Sequence, residues 1–186
     1  MKLNLPLITA GVLLSCLSAA CTKSGSKHVS TSRGASQTVL TPLRPWDSST
    51  RRTVRTTAYS HMENEPGAHG RLSASGNTLK YGRVRSAAAD WSRYPLGTQF
   101  KIVGTPHLYE IDDYGSALVG TDTIDLFKPN LRLMKDWGSR HVEIKITKWG
   151  SFEQSNALLE KRLKYPHCRT MHRHLQPQLR RERSGR

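Results

Sequence analysis

The chain has 186 residues and carries 29 Lys and Arg against 14 Asp and Glu, a formal charge of +15. That length holds one domain with its own core and excludes two of ordinary size, while the charge favours a polyanionic neighbour (nucleic acid, anionic lipid or an acidic envelope polymer) without choosing among them. No phosphate-cradling Gly-rich loop, paired-Cys zinc spacing or Gly-x-Ser-x-Gly elbow occurs, so the usual sequence marks of nucleotide and zinc chemistry are missing.

From the N-terminus, Lys2 precedes an apolar stretch from Leu3 to Leu17 and then Ser18-Ala19-Ala20-Cys21, the pattern of an export signal over residues 1–21. The stretch is short and interrupted by Asn4, Pro6 and Thr9, which favours removal over a retained membrane anchor. The run ending in Cys21 is similar to a lipoprotein cleavage box, with Ser18 where that box has Leu. Leu13-Leu14-Ser15-Cys16 is an equally imperfect rival. A cleaved product carrying only Cys168 has no internal disulfide. Residues 22–53 are rich in Ser, Thr, Gly and Lys without apolar periodicity and read as a solvated linker.

Order is expected to begin at Val54, where Val54 to Tyr59 alternates and is rich in β-formers. Thr98 to Val103 and Leu108 to Ile111 are short strand candidates joined by Gly104-Thr105-Pro106, a predicted hairpin. Asn130 precedes a short helix over Leu131 to Trp137 that stops at Gly138. His141 to Thr147 alternates strictly and sets Val142, Ile144 and Ile146 on one buried face. Short strands, tight turns and one or two short helices predict a mainly β fold, a small barrel over residues 54–150. Ala157 to Leu163 has the length of two helical turns. Residues 151–186 as a whole read as a basic, largely disordered tail, either merely solubilising or a binding arm. Cys168, His172 and His174 in that tail have nothing to orient them as ligands, and no metal is expected.

The segment from Glu110 to Phe127 holds the candidate chemistry. Asp113 stands before a glycine turn, and Asp125 lies inside the apolar frame Ile124 to Phe127. A carboxyl among apolar side chains has its pKa raised by desolvation and suits proton donation near neutral pH, which favours Asp125 as an acid. Aspartates beside glycine also cap turns, and the pattern alone leaves both readings open.

Asp113-Tyr114-Gly115, Ala117 to Gly120 and Ile124-Asp125-Leu126-Phe127 together resemble the signature of the three-aspartate domain, known from the membrane-bound lytic transglycosylase A family and smaller cell-wall proteins. Ala88-Ala89-Asp90 with Pro95-Leu96-Gly97-Thr98 resembles the family's remaining aspartate and its turn. Thr57-Ala58-Tyr59, Ser73-Ala74-Ser75-Gly76 and Trp137-Gly138 to Val142 are similar to its other landmarks. The resemblance implies a six-stranded double-psi β-barrel and cleavage of peptidoglycan between N-acetylmuramic acid and N-acetylglucosamine. It makes Asp125 the acid and base, with Asp113 supporting it and Asp90 bracing the barrel. It assigns the sugar site to Tyr59, Ser75, Gly115, Ser116 and Ala117, with no cofactor. The Asp113 to Asp125 interval is one residue longer than the family's, with the surplus in Thr121-Asp122-Thr123, and the family's large second domain is missing. A non-catalytic wall-binding or structural module on the same barrel is the other reading. Either way the expected site of action is the cell envelope, with peptidoglycan as partner and a lipid anchor on Cys21 as the route to a membrane surface. Nucleic-acid binding conflicts with the export signal and lacks an aromatic stacking pattern.

Overall fold

The computed structural model describes residues 50–63 and 70–184. The expected export signal, Cys21 and most of the expected linker lie outside the described residues. Six strands appear in chain order: β1 Arg51–Tyr59, β2 Val84–Ala88, β3 Gln99–Ile102, β4 Leu108–Asp113, β5 Ile124–Phe127 and β6 Arg140–Lys148. Three helices accompany them: α1 Leu131–Trp137 between β5 and β6, then α2 Phe152–Glu160 and α3 Pro166–Ser184. The strands form one sheet in the order β1-β5-β2-β4-β3-β6, which closes on itself because β6 returns to β1. The pairs β1/β5 and β2/β4 are parallel and the others antiparallel.

Alternation decides which side of the sheet is core. Ala87 on β2, Ile111 on β4, Ile124 and Leu126 on β5, Phe100 on β3 and Ile144 on β6 are all completely buried. Their neighbours along each strand point to the other face. The predicted β3–β4 hairpin is present, and β6 buries Ile144 and Ile146 with Val142 half-buried. Helix α1 starts where Asn130 accepts the Leu133 N–H at 2.9 Å. It ends at Gly138, whose φ of 60° suits glycine and whose N–H reaches the Met134 carbonyl.

Three expectations are corrected. The fold is mixed rather than mainly β, with strand and helix in about equal share. Order begins before Val54, since Arg51, Arg52 and Thr53 pair with Lys145, Ile144 and Glu143 of β6. These residues gave no apolar signal because Arg52 lies over the rings of Tyr94 and Trp149, 5.8 and 5.5 Å from their centroids. A long cationic side chain here does the packing of an apolar one.

The third correction concerns residues 151–186, most of which form the helical pair α2 and α3 rather than a disordered tail. Ser151 caps α2 by accepting the Gln154 N–H. Pro166 opens α3 at the position where its missing N–H costs nothing. Phe152 and Leu159 from α2 and Cys168, Met171, Leu175 and Leu179 from α3 join the same buried cluster as the strands. The α3 residues recur at three or four positions, a narrow stripe surrounded by Arg, His and Gln. Gly150 is the joint: a Cβ there would sit 2.1 Å from the Leu96 carbonyl oxygen, so only glycine lets the chain cross this turn into α2. No helix among the described residues is long and apolar enough to cross a membrane.

If the helical pair is part of the core, Leu175→Ala should lower unfolding stability by about 2–5 kcal/mol in denaturant titration. A disordered tail would leave it unchanged.

Candidate active site

The site begins with one surplus residue in β4. Ala87 of β2 stands opposite Ile111, but the next residue, Ala88, stands opposite Asp113, so the register skips Asp112. A bulge of this kind resets the alternation. Ile111 keeps facing the core, and Asp113 turns to the outer face instead of following Ile111 inward. On the other side of Ala88, β5 runs antiparallel and sets Asp125 opposite it, and Thr57 of β1 lies opposite Asp125. Residues in register on adjacent strands share a face, so Thr57, Asp125, Ala88 and Asp113 form a row across four strands. The two carboxylates flank an alanine, the smallest side chain that keeps the strand regular.

The hydrogen bonds give the two aspartates different characters. Asp113 accepts three: from the Tyr59 hydroxyl at 3.0 Å, the Ala74 N–H at 2.9 Å and its neighbour Tyr114's N–H at 2.9 Å. Asp125 accepts one, from the Thr57 hydroxyl to Oδ1 at 2.7 Å, and its Oδ2 has no hydrogen-bond partner among the described residues. Burial pushes both carboxyls above the usual range. At Asp113 the rise is opposed by its three donors and the Arg162 charge. At Asp125 only Thr57 and the Arg55 charge oppose it, while the charges of Glu63 and Asp113 add to it. The Tyr59 phenol is pushed strongly up by burial and by Asp113 and remains a donor. Asp125 is thus a half-buried acid with one oxygen unpartnered among the described residues, and Asp113 a carboxylate held in place.

Asp90 lies just past β2. It is completely buried, and it accepts the Ser92 N–H and hydroxyl on Oδ1 and the Gly120 N–H on Oδ2. Both its oxygens tie loops together. Thr121-Asp122-Thr123 lies in the turn after Gly120 (φ 81°), where the Thr121 N–H and hydroxyl both reach the Leu118 carbonyl. Asp122 is exposed and pairs with Arg93. Ser75 donates its N–H to the Asp112 carbonyl, while its hydroxyl is held by Ser73 and Asn77. In this turn it is Ala74, not Ser75, that reaches a carboxylate. Gly115 leads into a 3-10 turn, Ser116–Leu118, in which Ser116 and Ala117 are exposed and bond to neither aspartate.

Sequence reasoning missed Asp112, Thr57, Glu63 and Arg162. Asp112 is buried, bonded through Oδ2 to the Ser86 hydroxyl at 2.7 Å and to Lys80 at 3.4 Å, and its Oδ1 has no hydrogen-bond partner among the described residues. Burial raises its carboxyl too. Arg162, from the turn between α2 and α3, donates to the Tyr114 hydroxyl at 3.3 Å and brings a positive charge toward Asp113. Thr57 was legible, since its β1 segment was read as a strand. Arg162 was not, because its position depends on the helical pair. Among the described residues no group of three or more His, Cys, Asp and Glu is arranged to hold a metal ion. No protein-family model and no curated protein matches this sequence.

The raised carboxyl of Asp125 fixes a sign. The folded state holds its proton to higher pH than the unfolded chain, so the carboxyl's contribution to stability falls as pH rises from about 4, the ordinary carboxyl value, through the raised one. Asp125→Asn should therefore melt a few degrees above the parent at pH 7, the gap closing toward about pH 4. Equal destabilisation at both pH values would mean that the carboxylate is a structural tie.

Proposed function

We propose that the chain is an exported envelope protein of the three-aspartate type, a double-psi barrel that cleaves peptidoglycan as a lytic transglycosylase. The observation that carries this reading is the row Thr57–Asp125–Ala88–Asp113, in which one carboxyl has an oxygen unpartnered among the described residues and a raised pKa beside a second, firmly held one. A hydrolase of the ordinary kind needs its second carboxylate to activate water or to attack the sugar. Here Asp113 is occupied by three donors, which suits a supporting role and leaves the proton work to Asp125.

In the proposed reaction, protonated Asp125 gives its proton to the glycosidic oxygen as the bond from that oxygen to C1 of N-acetylmuramic acid breaks. The resulting carboxylate then takes the proton from the same sugar's 6-hydroxyl as its oxygen bonds to C1. A 1,6-anhydro ring forms without water, and Asp125 ends protonated, as it began. Buried position and the negative charges of Glu63 and Asp113 favour the protonated start. Tyr59 holds Asp113 from β1, and the backbone of Gly115 to Ala117 lies along the chain beside it as the sugar-facing wall. Arg162 supplies on this chain a cation near Asp113 that the sequence pattern alone did not assign there.

The test is mass spectrometry of purified sacculi incubated with the protein. Anhydro-muropeptides should appear, and Asp125→Asn should lower their formation by about 10²–10⁴-fold with the fold intact by circular dichroism. A folded protein that pellets with sacculi and releases nothing would instead be the wall-binding module.

A further inference from the structure

One end of the closed sheet carries a concentration of positive charge that the aspartate row does not use. The pairing registers bring the start of β2, the start of β4, the end of β5 and the start of β6 to the same rim, since Arg85 stands opposite Tyr109 and Thr56 opposite Arg140. Lys128, just after β5, is 95% buried at this rim, its exposure being 5%. Its Nζ lies 4.5 Å from the Trp137 ring centroid and 5.8 Å from that of Tyr81. Arg85 covers the other part of Tyr81 at 4.2 Å, and Arg140 lies over Trp137 at 4.4 Å. Three cations thus alternate with two rings: Arg85, Tyr81, Lys128, Trp137, Arg140.

None of the described carboxylates compensates this group. The Lys128 ammonium makes no hydrogen bond or ion pair among the described residues, and neither does the buried Nε of Arg85 find an acceptor there. The Lys128 ammonium is pushed down to about 8 by burial and by Arg85 and Arg140. Burial, Arg85 and Lys128 likewise lower His107 at the same rim. Ring faces offset part of the cost of a desolvated cation, but neighbouring like charges raise it, and an anion between them would relieve both.

We propose that this rim is an oxyanion site for a phosphate or phosphodiester group, with Lys128 at its centre and Arg85 and Arg140 on its flanks. The choice of phosphate over carboxylate follows from shape and charge. Cations brought to one rim by β2, the end of β5 and the start of β6 suit a tetrahedral oxyanion that presents oxygens in several directions, whereas a carboxylate offers two oxygens in one plane. The source is either free phosphate or a polyol-phosphate polymer of the envelope. The inference does not rest on the glycan-cleaving activity and stands or falls separately from it.

The experiment is thermal unfolding of the full chain against inorganic phosphate, with sodium chloride at matched ionic strength as reference. Phosphate should give a saturable rise in Tm that chloride does not. Lys128→Met, which keeps the apolar stem, should match or exceed the parent's Tm without phosphate and weaken phosphate binding by about tenfold or more. If that variant fails to fold, Arg85→Gln should show the same weakening, and phosphate should protect Lys128 of the parent from reductive methylation. A poly(glycerol phosphate) chain that binds more tightly than inorganic phosphate at equal phosphorus assigns the polymer, and equal binding assigns the free ion. A phosphate response no different from chloride, or one that survives loss of both Lys128 and Arg85, would overturn the proposal.

Discussion

Everything that gives the aspartate row its character depends on where β4 stops alternating. A regular strand would send Asp113 to the same face as Ile111, into a mostly apolar core, and would leave the outer face one carboxylate short. The skipped residue, Asp112, absorbs the change by staying buried between Ser86 and Lys80. Among the described residues its second oxygen lacks a hydrogen bond, so an incompletely satisfied acid accompanies the placing of Asp113.

The outer face is then fixed from two directions. The turn at residues 73–77 docks through the Ala74 and Ser75 N–H groups onto the Asp113 side chain and the Asp112 backbone. From the other direction, Trp91 donates to the Asp113 carbonyl at 2.9 Å and meets Tyr114 edge-on, with ring centroids 4.9 Å apart. Tyr114 in turn receives the Cys168 thiol and Arg162, and its ring lies beside His167. The position of the aspartate backbone therefore depends on contacts from both ends of the described chain, β1 through Tyr59 and the helical pair through Tyr114.

Much of the strand plan was legible in the sequence because alternation survives in short strands. Val142, Ile144 and Ile146 announced β6, and Asn130 with Gly138 announced both ends of α1. What escaped had physical causes. In β1, Arg52 takes an apolar residue's place against two aromatic rings, so the hydrophobic pattern starts late. In α3, a narrow apolar stripe is diluted by Arg, His and Gln until average polarity resembles that of a disordered tail. For the site, residue types marked Asp113 and Asp125, yet the bulge that gives them a common face leaves no mark in composition. Ser75 was named where the useful donor is its neighbour's N–H, since a backbone donor carries no signature of its own residue.

The contact between Cys168 and Tyr114 gives the molecule an internal clock. Cys168, the one thiol among the described residues, is completely buried 3.3 Å from a tyrosine hydroxyl and is shielded from oxidants and from exchange with other thiols for as long as α3 stays seated. Its rate of labelling by a small thiol reagent therefore counts the moments when the helix lifts away. Because Tyr114 follows Asp113 directly, those same moments are the ones in which the carboxylate loses its backing.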